Sequence, residues 1–128
     1  MRVISSRPET RPGPPERFTG TVWFDEVAAL PSGIHASSVH FSPGARTAWH
    51  THPGGQILQV VEGVGRVQDR GGPVEEIRAG TAVVVDAGVW HWHGASPHHF
   101  MTHLAVYEGD AQWGDPVTDD DYLAPPRS

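Results

Sequence analysis

The stretch PGARTAWHTHPGGQILQVVEG, residues 43–63, brings together two histidines and a glutamine that could bind one metal ion. His50 and His52 are two residues apart, so on an extended strand both imidazoles point to the same face. Gln56 follows the turn-forming Pro53-Gly54-Gly55, and its amide oxygen can fold back toward the same point. The spacing predicts a metal site on a strand that is followed by a turn.

A second stretch, GTAVVVDAGVWHWHG at residues 80–94, ends in another pair of histidines. On a strand, His91 and His93 share one face. The tryptophans that alternate with the histidines point the other way, and we expect them to pack against a second sheet or a partner subunit. These tryptophans are Trp49, Trp90 and Trp92.

The composition excludes several classes of protein. The 128 residues are enough for one domain with its own core. The chain has no cysteine, so any metal must bind through nitrogen and oxygen. The net charge of -6 argues against a nucleic-acid or membrane surface, and all nine basic residues are arginine, which excludes lysine Schiff-base chemistry. No apolar segment is long enough for a membrane span or a signal peptide, so we expect a cytoplasmic protein.

The chain reads as short strands between turns. Glycine (15) and proline (12) are spread along it, and no window shows a helical apolar stripe. We predict nine strands, which indicate an all-β jelly roll or barrel. They cover residues 19–25, 35–41, 47–51, 56–62, 65–69, 74–77, 82–85, 89–92 and 101–108.

The two ends differ from the middle. Residues 1–17 are rich in Pro and Arg and are predicted to form a flexible arm, whereas 109–128 form an acidic, Pro-containing tail that we expect to be loosely held. The single-domain barrel is assigned to 18–108. The strand at 18–25 is apolar, and a bare edge there would invite association, so we expect a homodimer sealed by this strand.

The two histidine stretches resemble the two motifs of the cupin superfamily. The first motif is matched by Gly44, His50, His52 and Gly63, with Gln56 where most cupins have glutamate. The second is matched by Gly80, Gly88 and His91, with Asp86 in the proline position and Gly94 close to the asparagine position. The resemblance implies the cupin barrel, or double-stranded β-helix, and a metal bound by His50, His52, Gln56 and His91.

A closer similarity lies within that superfamily. The strings ARTAWHTHP, HWHGA and MTHLA resemble small single-domain cupins that include manganese-dependent (R)-selective hydroxynitrile lyases. In that group His93 and His103 correspond to histidines that face the metal pocket. The resemblance implies that one or both are catalytic.

Neutral ligands would leave a divalent ion with its full charge. Three imidazoles and one amide oxygen contribute no negative charge, so the ion acts as a stronger Lewis acid than it would beside glutamate. The ligand set suits Mn, which we expect, and also Fe, Ni or Zn.

Other residues are assigned by strand position. We expect a small-molecule pocket lined by Ser37, Val39, Ile57, Ala105 and Tyr107. The histidines at His35, His40, His98 and His99 are predicted to lie on the surface.

The leading functional prediction is a metal-dependent enzyme that cleaves or forms a cyanohydrin of the mandelonitrile type. A neutral imidazole, His103 or His93, would take the hydroxyl proton. The alternatives are a quercetinase-like dioxygenase, a sugar isomerase, and a ligand-binding barrel without catalytic activity, because this fold supports many functions.

Overall fold

A computed structural model describes residues 1–127. It contains twelve strands and one helical turn, which confirms the prediction of an all-β barrel. No helix within the described residues has the length and apolar character needed to cross a membrane. The elements are β1 (Arg11–Pro12), β2 (Phe18–Thr19), β3 (Val22–Ala29), β4 (Ile34–Phe41), β5 (Arg46–Thr47), β6 (His50–Thr51), β7 (Gln56–Asp69), β8 (Glu75–Arg78), β9 (Ala82–Val85), β10 (His91–Ala95), β11 (Met101–Glu108), β12 (Gln112–Trp113) and α1 (Asp119–Tyr122).

The long strand β7 joins the two layers of the barrel. Its first half pairs with β11 and β9, so that one layer runs β1-β3-β4-β11-β7-β9. Its second half pairs with β8 and β10, which lead to the layer that contains β5, β6, β2 and β12. All of these pairings are antiparallel, and together they form one curled sheet.

β7 is one continuous strand, Gln56–Asp69, where the sequence predicts two, at 56–62 and 65–69, on either side of Gly63. Gly63 has a φ of 85°, and a Cβ atom there would collide with the carbonyl oxygen of Phe100. The glycine therefore bends the strand from one layer into the other without ending it. Whether the strand ends or bends at this glycine depends on its contact with the distant segment around the start of β11. The residue type alone does not reveal that contact.

Other strand predictions also need correction. The strand predicted at 47–51 is two short strands, and the one predicted at 19–25 is shifted toward the C-terminus, to Val22–Ala29. Strands β1 and β12 and the turn α1 were not predicted. Each of the missed elements is four residues or shorter, so its sequence carries too little periodicity to detect.

The main core lies between the two layers. Its buried apolar side chains come from both of them and include Phe41, Val60, Met101 and Ala95. A second buried cluster lies behind β10, where Trp92 and Trp49 pack against Val117 and Tyr122. The tryptophans therefore do face away from the histidines, and the C-terminal segment covers them.

The expectation that the C-terminal tail is loosely held is wrong for its described part. The Tyr122 hydroxyl donates to the carbonyl oxygen of Ala95 at 2.5 Å. The guanidinium of Arg46 lies 4.4 Å from the centre of the Tyr122 ring and donates to the carbonyl oxygen of Val117 at 2.7 Å. An aromatic ring, a cation above it and buried hydrogen bonds hold this segment on the barrel.

The N-terminal segment occupies part of an edge that was expected to seal a homodimer. Arg11–Pro12 pairs with Trp23 and Phe24 of β3, and the amide of Gly13 donates to the carbonyl oxygen of Val22 at 2.8 Å. The chain's own residues thus pair with β3 over this stretch. The homodimer itself stays a prediction.

Candidate metal centre and substrate cavity

Strand pairing brings His50 and His91 together. They are directly opposite each other on the antiparallel strands β6 and β10. The Nδ1 atom of His50 lies 2.9 Å from the carbonyl oxygen of Ala48, and that of His91 lies 3.0 Å from the carbonyl oxygen of Val89. Because a carbonyl oxygen only accepts, both Nδ1 atoms carry hydrogen and both Nε2 atoms keep a free lone pair. Such backbone bonds orient imidazoles as metal ligands.

Three imidazoles lie close enough to share one ion. One nitrogen from each of His50, His91 and His93 lies within 4.8 Å of the others, and all three residues are buried. A cluster of this kind fits a divalent metal site built from nitrogen donors.

Gln56 extends this donor set. Its Oε1 atom lies 2.9 Å from Nε2 of His91. Because Nδ1 of His91 carries the hydrogen, Nε2 of His91 and Oε1 of Gln56 are both acceptors and repel each other. A cation bound next to both atoms would remove this repulsion. Neighbouring ligand atoms at right angles on an ion about 2.1 Å away lie about 3 Å apart, which agrees with this separation.

His52 approaches the same point from the other end of the turn. Its ring centre is 5.2 Å from that of His50, and neither of its ring nitrogens has a hydrogen-bond partner although both are buried. The amide of Gly55, at φ 82°, donates to the carbonyl oxygen of His52 at 3.2 Å and turns the chain toward Gln56. Buried polar atoms without partners are rare, and a bound ion would account for one of these two nitrogens.

The imidazoles are neutral at neutral pH. Burial is the main cause and lowers the pKa of His50 to about 3 and that of His52 to about 4. Burial also lowers the pKa of His91. Neutral rings offer lone pairs to a metal, so the electrostatic environment and the hydrogen bonds favour the same role.

One member of this cluster, His93, also pairs with a further buried histidine, His103. The Nε2 atom of His103 is 2.9 Å from Nδ1 of His93, so one of these nitrogens donates to the other. Burial lowers the pKa of His103 to about 4 and that of His93 well below its usual value. The remaining ring nitrogen of His93, Nε2, is buried without a partner. It can accept a proton or bind a metal.

The side chains of His50, His52, His93 and His103 border a cavity of about 310 Å³. Four of the five residues expected in the pocket lie on its wall, together with His93 and His103. These four are Ser37, Val39, Ala105 and Tyr107. The expectation for Ile57 is wrong: its side chain is 52% exposed on the opposite face of the sheet, because its neighbour Gln56 faces inward.

Comparison with known proteins identifies the family. The family model for a Cupin domain matches residues 37–106, which are more than half of the chain. The chain belongs to the cupin family. A (R)-mandelonitrile lyase from Granulicella tundricola is 51% identical to this cupin over 116 residues, which are 86% of this chain and 88% of the relative.

Solved structures agree on the fold. A cupin-like protein from Thermotoga maritima superposes with a TM-score of 0.85 at 37% identity, over 94% of this chain and 95% of that chain. The polyketide cyclase RemF from Streptomyces resistomycificus superposes with a TM-score of 0.72 at 19% identity, over 95% and 91% of the two chains. The predicted resemblance to cupins, including the mandelonitrile lyase group, is confirmed.

The cavity of this cupin also has walls that its sequence did not predict. Trp113 stacks on the ring of His50 at 4.7 Å and 25°, and the guanidinium of Arg17 lies 5.3 Å from the centre of a Trp113 ring. Phe18 and Phe24 line the same space. These residues are distant in sequence from the motifs, and no local pattern connects them to the cavity.

The prediction that His35 is a surface residue is also wrong. His35 lines the cavity and stacks on Tyr107, with ring centres 5.2 Å apart and planes 13° apart. The alternation of side chains along β4 would have predicted this position, because His35 shares a face with Ser37 and Val39.

The buried histidines predict an acid-sensitive fold. Each of His50, His52 and His103 has a pKa below its ordinary value of 6.5, so the unfolded chain binds protons first as the pH falls. Their stabilising effect is complete above pH 6.5 and is lost toward pH 4. Within that range, each of these histidines lowers the free energy of unfolding by about 1.4 kcal/mol for every unit that the pH falls. We expect urea unfolding of the metal-free protein to show a loss of several kcal/mol between pH 7.5 and 5.

The variant His103→Gln provides a control for this prediction. It removes one titrating ring, so the free energy of unfolding should fall less steeply with acid by about 1.4 kcal/mol per pH unit. An unfolding free energy that stays constant from pH 7.5 to 5 would show that these rings are not held neutral by burial.

Proposed function

We propose that this cupin binds one divalent metal ion, Mn in preference to Fe, Ni or Zn, and cleaves cyanohydrins of the mandelonitrile type. The observation that carries the proposal is the free Nε2 atom of His93, which is buried at the cavity wall close to His50 and His91. The name of the relative that is 51% identical supports the reaction class.

We assign the metal ligands as His50, His52, Gln56 and His91. Each offers a neutral donor atom, so no protein charge offsets that of the ion. The bound ion would supply Lewis acidity that favours an oxygen anion on the substrate. Under this assignment His93 lies next to the ligands and stays free for proton transfer.

The pair His93–His103 provides the base. When Nδ1 of His93 donates to Nε2 of His103, Nε2 of His93 has a free lone pair on the cavity side. That atom accepts the proton of the substrate hydroxyl. The carbon–carbon bond to the nitrile then breaks, the oxygen electrons form the carbonyl, and cyanide leaves with the bonding pair. His93 returns its proton to cyanide, which releases hydrogen cyanide and an aldehyde.

The cavity walls suit an aryl group on the substrate. Phe24, Val39 and Ala105 line it with apolar surface, and Tyr107 adds an aromatic ring beside His52 at 4.8 Å. Aromatic side chains bind flat rings through stacked or edge contacts. Binding of the aryl group here would leave the hydroxyl and nitrile to face the histidines.

Metal loading combined with a cleavage assay tests the proposal. The protein is stripped with a chelator, loaded with Mn, Fe(II), Ni or Zn in turn, and assayed for benzaldehyde release from each enantiomer of mandelonitrile. We expect one ion per chain and the fastest cleavage with Mn. Stoichiometric metal without cleavage by any loaded form would contradict the lyase assignment and favour a dioxygenase or isomerase. Absence of metal binding would contradict the metal site itself.

A further inference from the structure

The substrate cavity adjoins a second hollow, and an arginine lies where the two meet. The second hollow has a volume of about 400 Å³. The wall that the two spaces share is called the mouth of the cavity here, and it consists of Arg17, His35, His52, Tyr107 and Trp113. Arg17 is exposed, so a molecule that enters the cavity through the mouth passes its guanidinium.

Arg17 has hydrogen-bond donors available for a ligand. Other arginines, Arg46, Arg78 and Arg127, form ion pairs with carboxylates of the chain. Arg17 forms no ion pair with any carboxylate of residues 1–127. A guanidinium carries five N–H donors and keeps its charge at every physiological pH. The mouth therefore contains a permanent positive charge that no acidic side chain of the described chain neutralises by direct contact.

Backbone bonds and stacking hold Arg17 in place. Its amide donates to the carbonyl oxygen of Pro14 at 3.0 Å, and its carbonyl oxygen accepts from the amide of Ala48 at 2.8 Å. Its guanidinium lies 5.3 Å from the centre of a Trp113 ring, which is a cation–π distance. Trp113 is the strand partner of His50 and stacks on its ring at 4.7 Å. The guanidinium, indole and imidazole form a column from the mouth to a proposed metal ligand, and such preorganisation reduces the entropic cost of binding.

The other charges around the cavity leave this position favourable for an anion. Glu26 also lines the cavity, but its Oε1 atom lies 3.3 Å from Nδ1 of His35 and so has a partner. Asp110 lines only the outer hollow. The proposed metal ligands are neutral, so a bound divalent ion would make the inner end of the cavity strongly positive. An anionic substrate would meet positive charge at both ends of the cavity.

We propose that the natural substrate of this site carries a carboxylate, which binds Arg17 at the mouth while the reacting carbon lies at the histidines. The inference rests on the proposed function for the reacting group. The planar fork of a guanidinium matches the two oxygens of a carboxylate. A phosphate would bring a second negative charge toward Glu26 and Asp110, so the single guanidinium favours the carboxylate.

An aryl ring can join the two ends of such a substrate. The two steps of the column, 5.3 Å and 4.7 Å, place the guanidinium within about 10 Å of the centre of the His50 ring. A benzene ring with its carboxylate para to the reacting carbon spans a similar distance. The walls between the two ends are apolar or aromatic and include Phe24 and Val39. The expected substrate is an aromatic cyanohydrin with a carboxylate opposite the reacting carbon.

Binding of two matched aldehydes tests the carboxylate site. 4-Formylbenzoate and 4-formylbenzamide have nearly the same shape and differ by one negative charge. Titration calorimetry with the manganese-loaded protein should show an affinity about 10-fold higher for the benzoate, as expected for a charge-assisted pair that solvent partly screens. Arg17→Gln should reduce this preference to less than about twofold. Arg17→Lys keeps the charge but not the fork, so it should retain part of the preference.

Two further variants control for the overall charge. Arg70→Gln removes the same charge from an arginine that also stacks on tryptophans, at 5.0 Å from Trp49 and 5.1 Å from Trp90, but does not line the cavity. It should keep the full preference. Asp110→Asn removes a carboxylate from the hollow that Arg17 lines, so it should increase the preference. Far-UV circular dichroism and metal content, measured on the same samples, check folding and loading.

Two binding results would overturn the inference. Equal affinity for the two aldehydes would show that the cavity does not recognise the carboxylate. A preference for the benzoate that is unchanged in both Arg17→Gln and Arg17→Lys would show that another group, such as the metal ion, binds it.

Cleavage assays separate this inference from the lyase proposal. The cyanohydrin of 4-formylbenzoate should be cleaved with a kcat/KM about 10-fold above that of the amide, and Arg17→Gln should remove the difference. Cleavage of mandelonitrile without any Arg17-dependent preference would contradict the carboxylate site alone. An Arg17-dependent preference in binding, without cleavage of any cyanohydrin, would contradict the lyase reaction and support the carboxylate site.

Discussion

His52→Ala is expected to weaken binding of the divalent ion by more than about 100-fold and to abolish cyanohydrin cleavage. Replacement of residues that only orient metal ligands already costs 10–100-fold in affinity or activity, so loss of a ligand should cost more. Both ring nitrogens of His52 are buried without a partner, as expected if one of them binds an ion. Metal content by elemental analysis and titration with manganese measure the effect.

A histidine on the outer face provides the matched control. His40 bonds to Asp25 and Thr102, away from the cavity, so His40→Ala should retain the metal. The reverse result for the two histidine variants would contradict the ligand assignment. If His52→Ala kept the ion and His93→Ala lost it, the ligands would be the cluster of His50, His91 and His93, and His93 could not act as the base.

His93→Ala should keep the metal and lower kcat by about 10²–10⁴-fold, with a small change in KM. Loss of a positioned general base has an effect of this size. The reason is the free Nε2 atom, which we assign as the proton acceptor at the cavity wall. Steady-state kinetics at saturating manganese, with metal content measured on the same samples, provide the test.

His103 acts through His93 in this scheme and is a positioning residue. His103→Ala removes the partner at 2.9 Å that holds Nδ1 of His93, so it should lower kcat and shift the pH profile. His103→Gln keeps an acceptor oxygen and should recover part of the rate. Metal loss in His103→Ala equal to that in His52→Ala would place His103 among the ligands and contradict this assignment.

The local pattern around the histidines carried much of the correct prediction. The His-x-His spacing and the Pro-Gly-Gly turn predicted that His50, His52 and Gln56 meet. In the structure all three line one cavity, and the ring centres of His50 and His52 are 5.2 Å apart. Alternation along a strand is a short-range property, so two or three residues are enough to reveal it. The same alternation, applied to every strand, would have predicted that Ile57 faces outward and His35 faces inward.

Sequence by itself therefore determined the fold family and the candidate metal donors, because these depend on residue type and on spacing within single strands. Tertiary structure alone decided that β7 bends through both layers, that Trp113 stacks on His50, and that His93 bonds to His103. It also decided that five apolar residues from five strands lie in one row across the sheet, namely Ala28, Ala36, Val106, Ile57 and Val84. Each of these features depends on strand register and on contacts between residues far apart in the chain, and the pairing of strands sets both.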